Sequence, residues 1–199
     1  MKNFQKILLL IVTLLLLQGC QNHKIHFSEI EERSVNGKTL FLYNDKLFNG
    51  VVFENYQNGV LKYETTIQNG EKNGPHIVYY EDGQLKGKSI LKDGKFDGLL
   101  EKYDENGELR ETCNYINNIK HGSFKEFFEN GKIKSKGFYK NNNYDGLCEW
   151  YYNNGQLDNK TIYKNGIENG PYVIYFENGN LMEESTFLMG KRVGSFKEY

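Results

Sequence analysis

Runs of strand-forming residues alternate with short polar turns along most of this chain. Segments such as His76–Tyr80 and Thr161–Tyr163 are rich in isoleucine, valine, threonine and tyrosine, which favour extended strands. Between such runs lie Asn-Gly, Asp-Gly or Asn-Asn pairs, which favour tight turns. The pattern predicts β-hairpins, and no window after residue 20 has the periodicity of a long helix.

The hairpins recur with an unbroken period of 24 residues. A fixed period of this length indicates a repeat architecture. We count six full repeats from Gly50 to Val193, and a terminal half repeat from Gly194 to Tyr199. Three columns carry the period: the glycines 50, 74, 98, 122, 146, 170 and 194; the glycines 59, 83, 107, 131, 155 and 179; and Leu61, Leu85, Leu109, Ile133, Leu157 and Leu181.

The turns give a predicted register. The second glycine of every repeat follows Asn or Asp, which suits a two-residue type I′ turn. That turn would place Tyr80 opposite Leu85 and, further from the turn, Phe124 opposite Gly137. At the other connection Asn118 and Asn142 stand in place of glycine, as the left-handed region allows. The predicted fold is all-β: an elongated single antiparallel sheet of tandem 24-residue hairpins.

The register divides the side chains between two faces. One carries large rings opposite small residues and is the predicted core, with the first-column glycines leaving room for rings such as Tyr115. The other face carries one ring per repeat, with Lys86, Arg110 and Lys134 as predicted cross-strand partners. Two interpretations stay open for these rings: ordinary packing under lysine stems, or partly exposed presentation to a protein partner. The candidate protein-binding residues are Tyr79, Tyr103, Phe127, Tyr151 and Tyr175, with Tyr199 continuing the series in the half repeat.

The first residues have the pattern of an export signal. Lys2 and Lys6 precede an apolar run, Ile7 to Leu17, which is too short to span a membrane. Leu17-Gln18-Gly19-Cys20 resembles the lipobox of bacterial lipoproteins. The resemblance implies that residues 1–19 are removed, that Cys20 is the lipid anchor, and that the protein lies in the cell envelope on the extracytoplasmic side of a membrane. An ordinary signal peptide with an incidental cysteine is the alternative. Residues 20–26 would then be a lipidated tether, and residues 27–49 a degenerate N-terminal capping repeat.

Composition and charge exclude two classes of protein. Aromatic residues make up 15% of the chain, too many for a disordered one. Without Lys2 and Lys6 the 25 basic residues fall to 23 against 26 acidic ones, a net charge of −3. A chain of this charge lacks the basic surface of a nucleic-acid binder.

The sequence offers no constellation of catalytic or metal-binding residues. Cys113 and Cys148 fall about three strands apart, too far for a disulfide, and we expect both to be buried thiols. His76 and His121 fall about four strands apart, and no metal-ligand spacing occurs. We therefore expect no enzymatic activity, no cofactor and no metal site.

One repeat carries a family resemblance. Gly146 to Leu157, followed by Thr161 to Gly166, resembles the bacterial variant of the MORN repeat, and the similarity extends over roughly residues 35–199. It implies an elongated, twisted sheet of hairpins. It also implies kinship with YwqK-type antitoxins, thought to neutralise a toxin by binding it. The phosphatidylinositol phosphate kinase label that some MORN proteins carry would be unsupported, because the kinase domain is missing.

These observations predict a lipid-anchored, non-enzymatic repeat scaffold that binds a protein partner, as an antitoxin-like or immunity-type protein. The partner is unidentified; a toxin or a second copy of the chain would both suit the strip of rings. Two alternatives stay open: a structural protein of the cell envelope without a dedicated ligand, and an accessory module to an enzyme. The membrane would be reached only through the lipid anchor.

Overall fold

A computed structural model describes residues 23–199, apart from the side chains of residues 195 and 196. The predicted signal peptide and the predicted anchor Cys20 lie outside the described residues. The described chain is almost entirely β-structure, and its one helical element there is a 3₁₀ turn, Phe27–Glu29. The predicted all-β fold class is confirmed.

Four strands precede the repeats, and fifteen belong to them. The first four are β1 (Lys24–His26), β2 (Glu31–Val35), β3 (Lys38–Tyr43) and β4 (Lys46–Leu47). The others are β5 (Gly50–Asn55), β6 (Leu61–Gln68), β7 (Glu71–Tyr79), β8 (Leu85–Lys92), β9 (Lys95–Phe96), β10 (Gly98–Tyr103), β11 (Leu109–Ile116), β12 (Ile119–Phe127), β13 (Ile133–Lys140), β14 (Asn143–Tyr144), β15 (Gly146–Tyr151), β16 (Leu157–Lys164), β17 (Ile167–Tyr175), β18 (Leu181–Leu188) and β19 (Lys191–Glu198).

The repeats form one sheet in which each long strand pairs with the next one along the chain. The order runs from β5 to β19 through antiparallel neighbours, and the short strands β9 and β14 pair with β8 and β13. Each repeat therefore lengthens the sheet by two strands, or about 10 Å at the usual strand spacing. At its N-terminal edge β1 adds to β5 in parallel.

The turns at the second glycine differ from the prediction. A type I′ turn needs positive φ at both central residues, but of Asp82 and Gly83 only Gly83 has positive φ, at +90°. The backbone N–H of Tyr80 bonds the carbonyl of Gln84 at 2.8 Å, which closes a five-residue connection. The strand register also shifts between Val78 and Tyr79, so that Tyr79 instead of Tyr80 lies opposite Leu85. The register predicted next to the turn is therefore wrong by one residue.

The type I′ geometry occurs at the other connection. Asn117 and Asn118 have φ of 51° and 67°, and the Asn69-Gly70 pair has 51° and 76°. The prediction that Asn118 can replace glycine is confirmed. Its side-chain oxygen also accepts the backbone N–H of Phe96 at 2.6 Å, so it ties its turn to the preceding repeat.

Further from the turns, the predicted register is confirmed and builds the core. We call this side of the sheet the core face. The cross-strand pairs there are Val52–Thr65, His76–Ser89, Leu100–Cys113, Phe124–Gly137, Cys148–Thr161 and Tyr172–Ser185. The phenylalanine and tyrosine rings in these pairs lie opposite small residues, Phe124 opposite Gly137 and Tyr172 opposite Ser185, whereas Cys148 and Thr161 are of similar size.

The predicted role of the first-column glycines is wrong. Gly98 does lie opposite Tyr115. A Cβ built on Gly98, however, would approach Ile90 of the preceding hairpin at 3.4 Å and would not meet the ring. The backbone there has φ of +129°, which side chains with a Cβ rarely adopt. Glycine is therefore required by the local backbone conformation.

The residues before the repeats fold as a separate small sheet against the first repeat. Strands β2, β3 and β4 form an antiparallel three-stranded sheet. Phe41 and Phe48 pack with Ile25, Val52 and Ile67, all buried. Ile25 belongs to β1, so part of the segment predicted as a tether is a strand of the main sheet.

Candidate functional site

The candidate site is the face opposite the core, which we call the ladder face. Its five candidate residues form the aromatic ladder: Tyr79, Tyr103, Phe127, Tyr151 and Tyr175. Each ends the first strand of its repeat, and all five are half-buried. The rings therefore repeat every two strands, about 10 Å apart. Half-burial of these rings fits both interpretations, packing under lysine stems and presentation to a partner.

Hydroxyl groups of the preceding repeat fix the backbone of the ladder. The hydroxyls of Tyr56, Tyr80 and Tyr152 donate to the carbonyl oxygens of the ladder residues Tyr79, Tyr103 and Tyr175, each at 2.8 Å. Removal of such a hydroxyl would leave a partly buried carbonyl oxygen without a hydrogen-bond partner, which lowers the stability of the fold. These bonds therefore hold successive ladder residues at a fixed spacing.

The basic neighbours of the ladder differ from the prediction. Because of the register shift, each ladder ring lies opposite the aliphatic column: Tyr79–Leu85, Tyr103–Leu109, Phe127–Ile133, Tyr151–Leu157 and Tyr175–Leu181. The predicted partners are engaged elsewhere: the Lys86 ammonium lies over Tyr80, Arg110 binds Asp104, and Lys134 lies 4.0 Å from Glu126. The lysines over the ladder come from the preceding repeat instead. Lys88 lies 6.0 Å from the Tyr103 ring centre and Lys136 5.3 Å from that of Tyr151.

The same lysines form ion pairs across the repeat boundaries. Lys88 binds Glu101 at 2.7 Å, and Lys136 binds Glu149 at 3.0 Å. Hydrogen bonds with the Tyr151 hydroxyl and the Glu149 carboxylate raise the pKa of Lys136. The centre of the ladder face is thus a line of lysine and glutamate side chains beside the rings.

A second apolar feature of this face was missed by the sequence analysis. On the side of the ion pairs away from the ladder, five large apolar side chains are 38% to 53% exposed. We call them the apolar band: Ile90, Leu99, Phe138, Leu147 and Ile162. Each is the chain neighbour of a core-face residue, so strand alternation could have placed it on the ladder face.

The composition of the ladder face suits protein recognition. Tyrosine rings and exposed aliphatic groups supply contact area, and charged side chains between them supply orientation. Within residues 23–199 no group of three or more His, Cys, Asp and Glu could hold a metal ion. The same stretch contains no helix with the length and apolar character needed to cross a membrane.

Comparison with known families identifies the repeat. A model described as "MORN repeat variant" matches six segments that together cover more than half of the chain: residues 48–69, 72–93, 96–117, 120–141, 144–165 and 168–188. The chain therefore belongs to the MORN repeat variant family. The matched segments begin 24 residues apart, in agreement with the period read from the glycines.

Other comparisons add little. No curated protein matches the chain. Among solved structures it is similar to a mutant of S. aureus TarM, crystallised with Fondaparinux, alpha-GlcNAc-glycerol and UDP, at 12% identity and a TM-score of 0.28. The match covers 71% of this chain and 21% of TarM.

Proposed function

We propose that this protein is a lipid-anchored, non-enzymatic scaffold of the cell envelope that binds a protein partner along its ladder face. The observation that carries the proposal is the apolar band, five large apolar side chains between 38% and 53% exposed, running beside the aromatic ladder. Asn114 and Ser123, which lie opposite Leu99 and Phe138, divide the band into two exposed apolar groups. Exposed apolar patches of this kind mark interaction sites in soluble proteins.

The charges of the ladder face support a protein partner over other classes. Lys88, Glu101, Lys136 and Glu149 already form ion pairs within the sheet, so the face presents both signs of charge and no basic stripe. A nucleic acid would need a continuous positive surface. A protein interface accommodates charges of both signs, which orient the partner and discriminate between partners.

The test begins with capture. The protein, as its host produces it, is used to isolate partners from the host's own membranes, and each identified partner is then titrated against purified protein. We expect the combined change of Tyr103, Tyr151 and Tyr175 to Ser to weaken binding at least 100-fold, because each ring is a candidate anchor. The matched control changes the exposed turn residues Glu81, Glu105 and Glu129 to Ser and should leave binding unchanged. A partner that binds the ladder variant normally contradicts the proposed site.

The antitoxin-like role is the most specific form of the proposal. The resemblance to YwqK-type antitoxins makes a toxin encoded beside this gene the first partner to test. Co-expression should restore growth to cells that produce the toxin, and the ladder variant should fail to do so. Growth that stays arrested with the unaltered protein contradicts the antitoxin role and leaves scaffold binding to be judged by the titration.

The lipid anchor has its own test. Cys20→Ala should abolish labelling by a radioactive fatty acid and leave the protein unprocessed or released from the membrane. Membrane retention with an unaltered mass would contradict the anchor, and it would not affect the ladder proposal.

A further inference from the structure

The later end of the apolar band is one patch across three neighbouring strands, β13, β15 and β16. Each strand contributes one side chain that is between 38% and 53% exposed. Leu147 pairs directly with Ile162. The pairing of Lys136 with Glu149 continues along both strands and places Phe138 beside Leu147. We call this set the late apolar group: Phe138, Leu147 and Ile162.

Lysine side chains lie on both sides of the late apolar group. On β13 and on β16 the apolar residue has a lysine two positions before it and another two positions after it. Strand alternation places all of these side chains on the ladder face. Lys125 of β12 lies directly opposite Lys136 and extends one of the two rows. We call the set the lysine cluster: Lys125, Lys136, Lys140, Lys160 and Lys164.

Most of the positive charge of the cluster has no counter-charge in the fold. The Glu149 carboxylate pairs with Lys136 at 3.0 Å. Within residues 23–199 the other four members form no ion pair, although Lys160 lies directly opposite Glu149. Like charges that lie opposite each other on neighbouring strands, as Lys125 and Lys136 do, destabilise a sheet. An acidic partner would remove this repulsion.

The equivalent positions two repeats earlier show that the repeat does not need these lysines. Threonine, isoleucine and asparagine stand there at the positions of Lys160, Lys164 and Ile162. The Lys88 ammonium of that patch pairs with Glu101 at 2.7 Å. Because the same hairpin forms with either set of residues, the additional charges of the later patch are not explained by folding.

The spacing of the lysine rows fits an α-helix. Lys160 and Lys164 are four residues apart on one strand, about 13 Å at the usual rise, and a helix with its side chains is about 10–12 Å wide. A helix that crosses the strands along the late apolar group directs its apolar stripe at that group and sets acidic residues on both flanks. An extended segment places alternate side chains on opposite sides. With its apolar residues against the group, its neighbouring acidic residues would therefore point away from the lysines.

A lipid surface fits the patch less well. The lysine side chains are longer than those of Leu147 and Ile162 between them, so a flat bilayer would meet the ammonium groups first. Apolar side chains that bind a membrane reach about 5–10 Å into the headgroup and acyl boundary. The Glu149 carboxylate among the lysines would also face the lipid phosphates. A side chain of a helix reaches between the lysines, and a bilayer does not.

We propose that the late apolar group and the lysine cluster bind an acidic amphipathic helix of the protein partner. The apolar stripe of the helix covers Phe138, Leu147 and Ile162, and its carboxylates pair with the lysines on either side. This inference rests on the proposed function, because it names the chemistry of the partner that the ladder face binds.

The test uses a defined probe, a labelled amphipathic peptide of five helical turns, about 18 residues, whose leucine stripe is flanked by glutamates on both sides. Titration with the purified protein should show saturable binding that weakens as salt is raised. A peptide with lysine at each glutamate position, and one with serine at each leucine position, should bind at least about 10-fold more weakly. Absence of saturable binding, or equal binding of the three peptides, would overturn the proposal.

Glutamine substitutions test the charges. Lys125→Gln, Lys160→Gln and Lys164→Gln combined should weaken the glutamate peptide about 10-fold, as the loss of three exposed ion pairs does. Lys125→Gln alone should not lower the thermal melt, because it removes a like charge opposite Lys136. The matched control changes three exposed lysines outside the cluster to Gln and should leave binding unchanged: Lys46, Lys102 and Lys132. Equal weakening by the two triple variants would overturn the site.

A further variant tests the apolar contact. Ile162→Asn introduces the residue found at the equivalent position two repeats earlier. It should weaken the glutamate peptide about 5- to 10-fold, because apolar contact area is lost, and leave the thermal melt unchanged. A variant that melts normally and binds the peptide like the unaltered protein would overturn the contact with the late apolar group.

Vesicles distinguish a helix from a lipid surface. Phosphatidylglycerol vesicles added to the complex of protein and glutamate peptide should not displace the peptide, and phosphatidylcholine vesicles serve as the control. The charge of a bilayer is screened beyond about 8 Å at physiological salt, so only a cluster that lies on the lipid would lose the peptide. Displacement by phosphatidylglycerol alone would therefore assign the cluster to the membrane and overturn the proposal.

The partner identified by membrane capture separates this inference from the proposed function. If the ladder variant weakens that partner and the triple glutamine variant does not, the ladder face binds the partner and the inference is wrong. If the triple glutamine variant weakens the partner and the ladder variant does not, the acidic helix is supported and the site proposed at the tyrosine rings is wrong.

Discussion

The two faces of the sheet carry similar residues, but only the core face packs them tightly. On the core face the rings are paired with small residues, as Phe124 is with Gly137, and Thr65, Ser89, Cys113, Thr161 and Ser185 are at most 7% exposed. On the ladder face rings and aliphatic groups lie in columns without such matching, and Phe138 is 53% exposed. Adjacent residues of one strand therefore differ in how tightly their side chains are packed. The difference indicates that the core face carries the stability of the array and the ladder face is free to serve recognition.

The largest expected effect is overpacking of the core face. Gly137→Val adds a Cβ within 3 Å of both the Cys148 sulfur and the Phe124 ring. We expect the free energy of unfolding to fall by about 1–3 kcal/mol, since extra methyl groups in a packed core force side chains and backbone to move. Urea denaturation followed by circular dichroism measures the change.

The control for this prediction has to be a glycine without positive φ. Gly37, in the capping region, has φ of +78°, so valine there would strain the turn whatever the space. Gly87 is the closer match, because it lacks positive φ and a Cβ there would meet a single atom within 4 Å, the Glu101 carbonyl oxygen at 3.0 Å. Gly87→Val should cost less than Gly137→Val. Equal losses would show that the two sites are packed alike.

A smaller effect compares two adjacent tyrosines. Tyr80→Phe removes the hydroxyl that binds the Tyr103 carbonyl and should cost about 1 kcal/mol, the usual value of such a bond. Tyr79→Phe, on the ladder, removes a hydroxyl that makes no hydrogen bond within the described chain, and it should be near neutral. Thermal melts of the two variants provide the comparison. A larger loss for Tyr79→Phe would mean that the ladder residue is the structural one.

The period and the distant register could be predicted because they depend on spacing alone. Glycines 24 residues apart fix the repeat, and the match of Phe124 to Gly137 follows from any hairpin centred near Gly131. The turn geometry could not be predicted in this way, because Asn-Gly suits both a type I′ turn and a type I turn followed by glycine in the left-handed region.

Contacts between repeats are the information that the local sequence lacks. The Asn58 side chain accepts the backbone N–H of Val60 at 3.0 Å within its own turn and donates to the Glu81 carbonyl of the next turn at 2.9 Å. The second bond exists only once the repeats stack. The same limit applies to the ladder: its residues were located from the sequence, but the lysines above them depend on a register shift that no dipeptide specifies.

A weaker effect concerns the ion pairs of the ladder face. Glu101→Gln leaves Lys88 without its partner at 2.7 Å; the lysine side chain is 49% exposed and that of the glutamate 19%. We expect a loss of at most about 0.5 kcal/mol, since exposed ion pairs contribute little. The loss should vanish in 1 M salt, where screening acts within about 3 Å. A loss above about 1.5 kcal/mol that persists in salt would show that this face is structural.

The smallest effect on stability is expected in the apolar band. Leu147 is 43% exposed, whereas Leu100, at a core-face position, is 9% exposed. Leu147→Thr keeps a strand-forming residue and should change the free energy of unfolding by less than about 0.5 kcal/mol, as surface substitutions do. Leu100→Thr removes buried apolar volume and should cost clearly more. The two variants then separate recognition from folding: Leu147→Thr should weaken the partner identified by membrane capture while leaving the melt unchanged, because the band lies beside the ladder on the same face. If Leu147→Thr destabilises the chain as much as Leu100→Thr does, the band is covered within the folded protein and the partner must bind elsewhere.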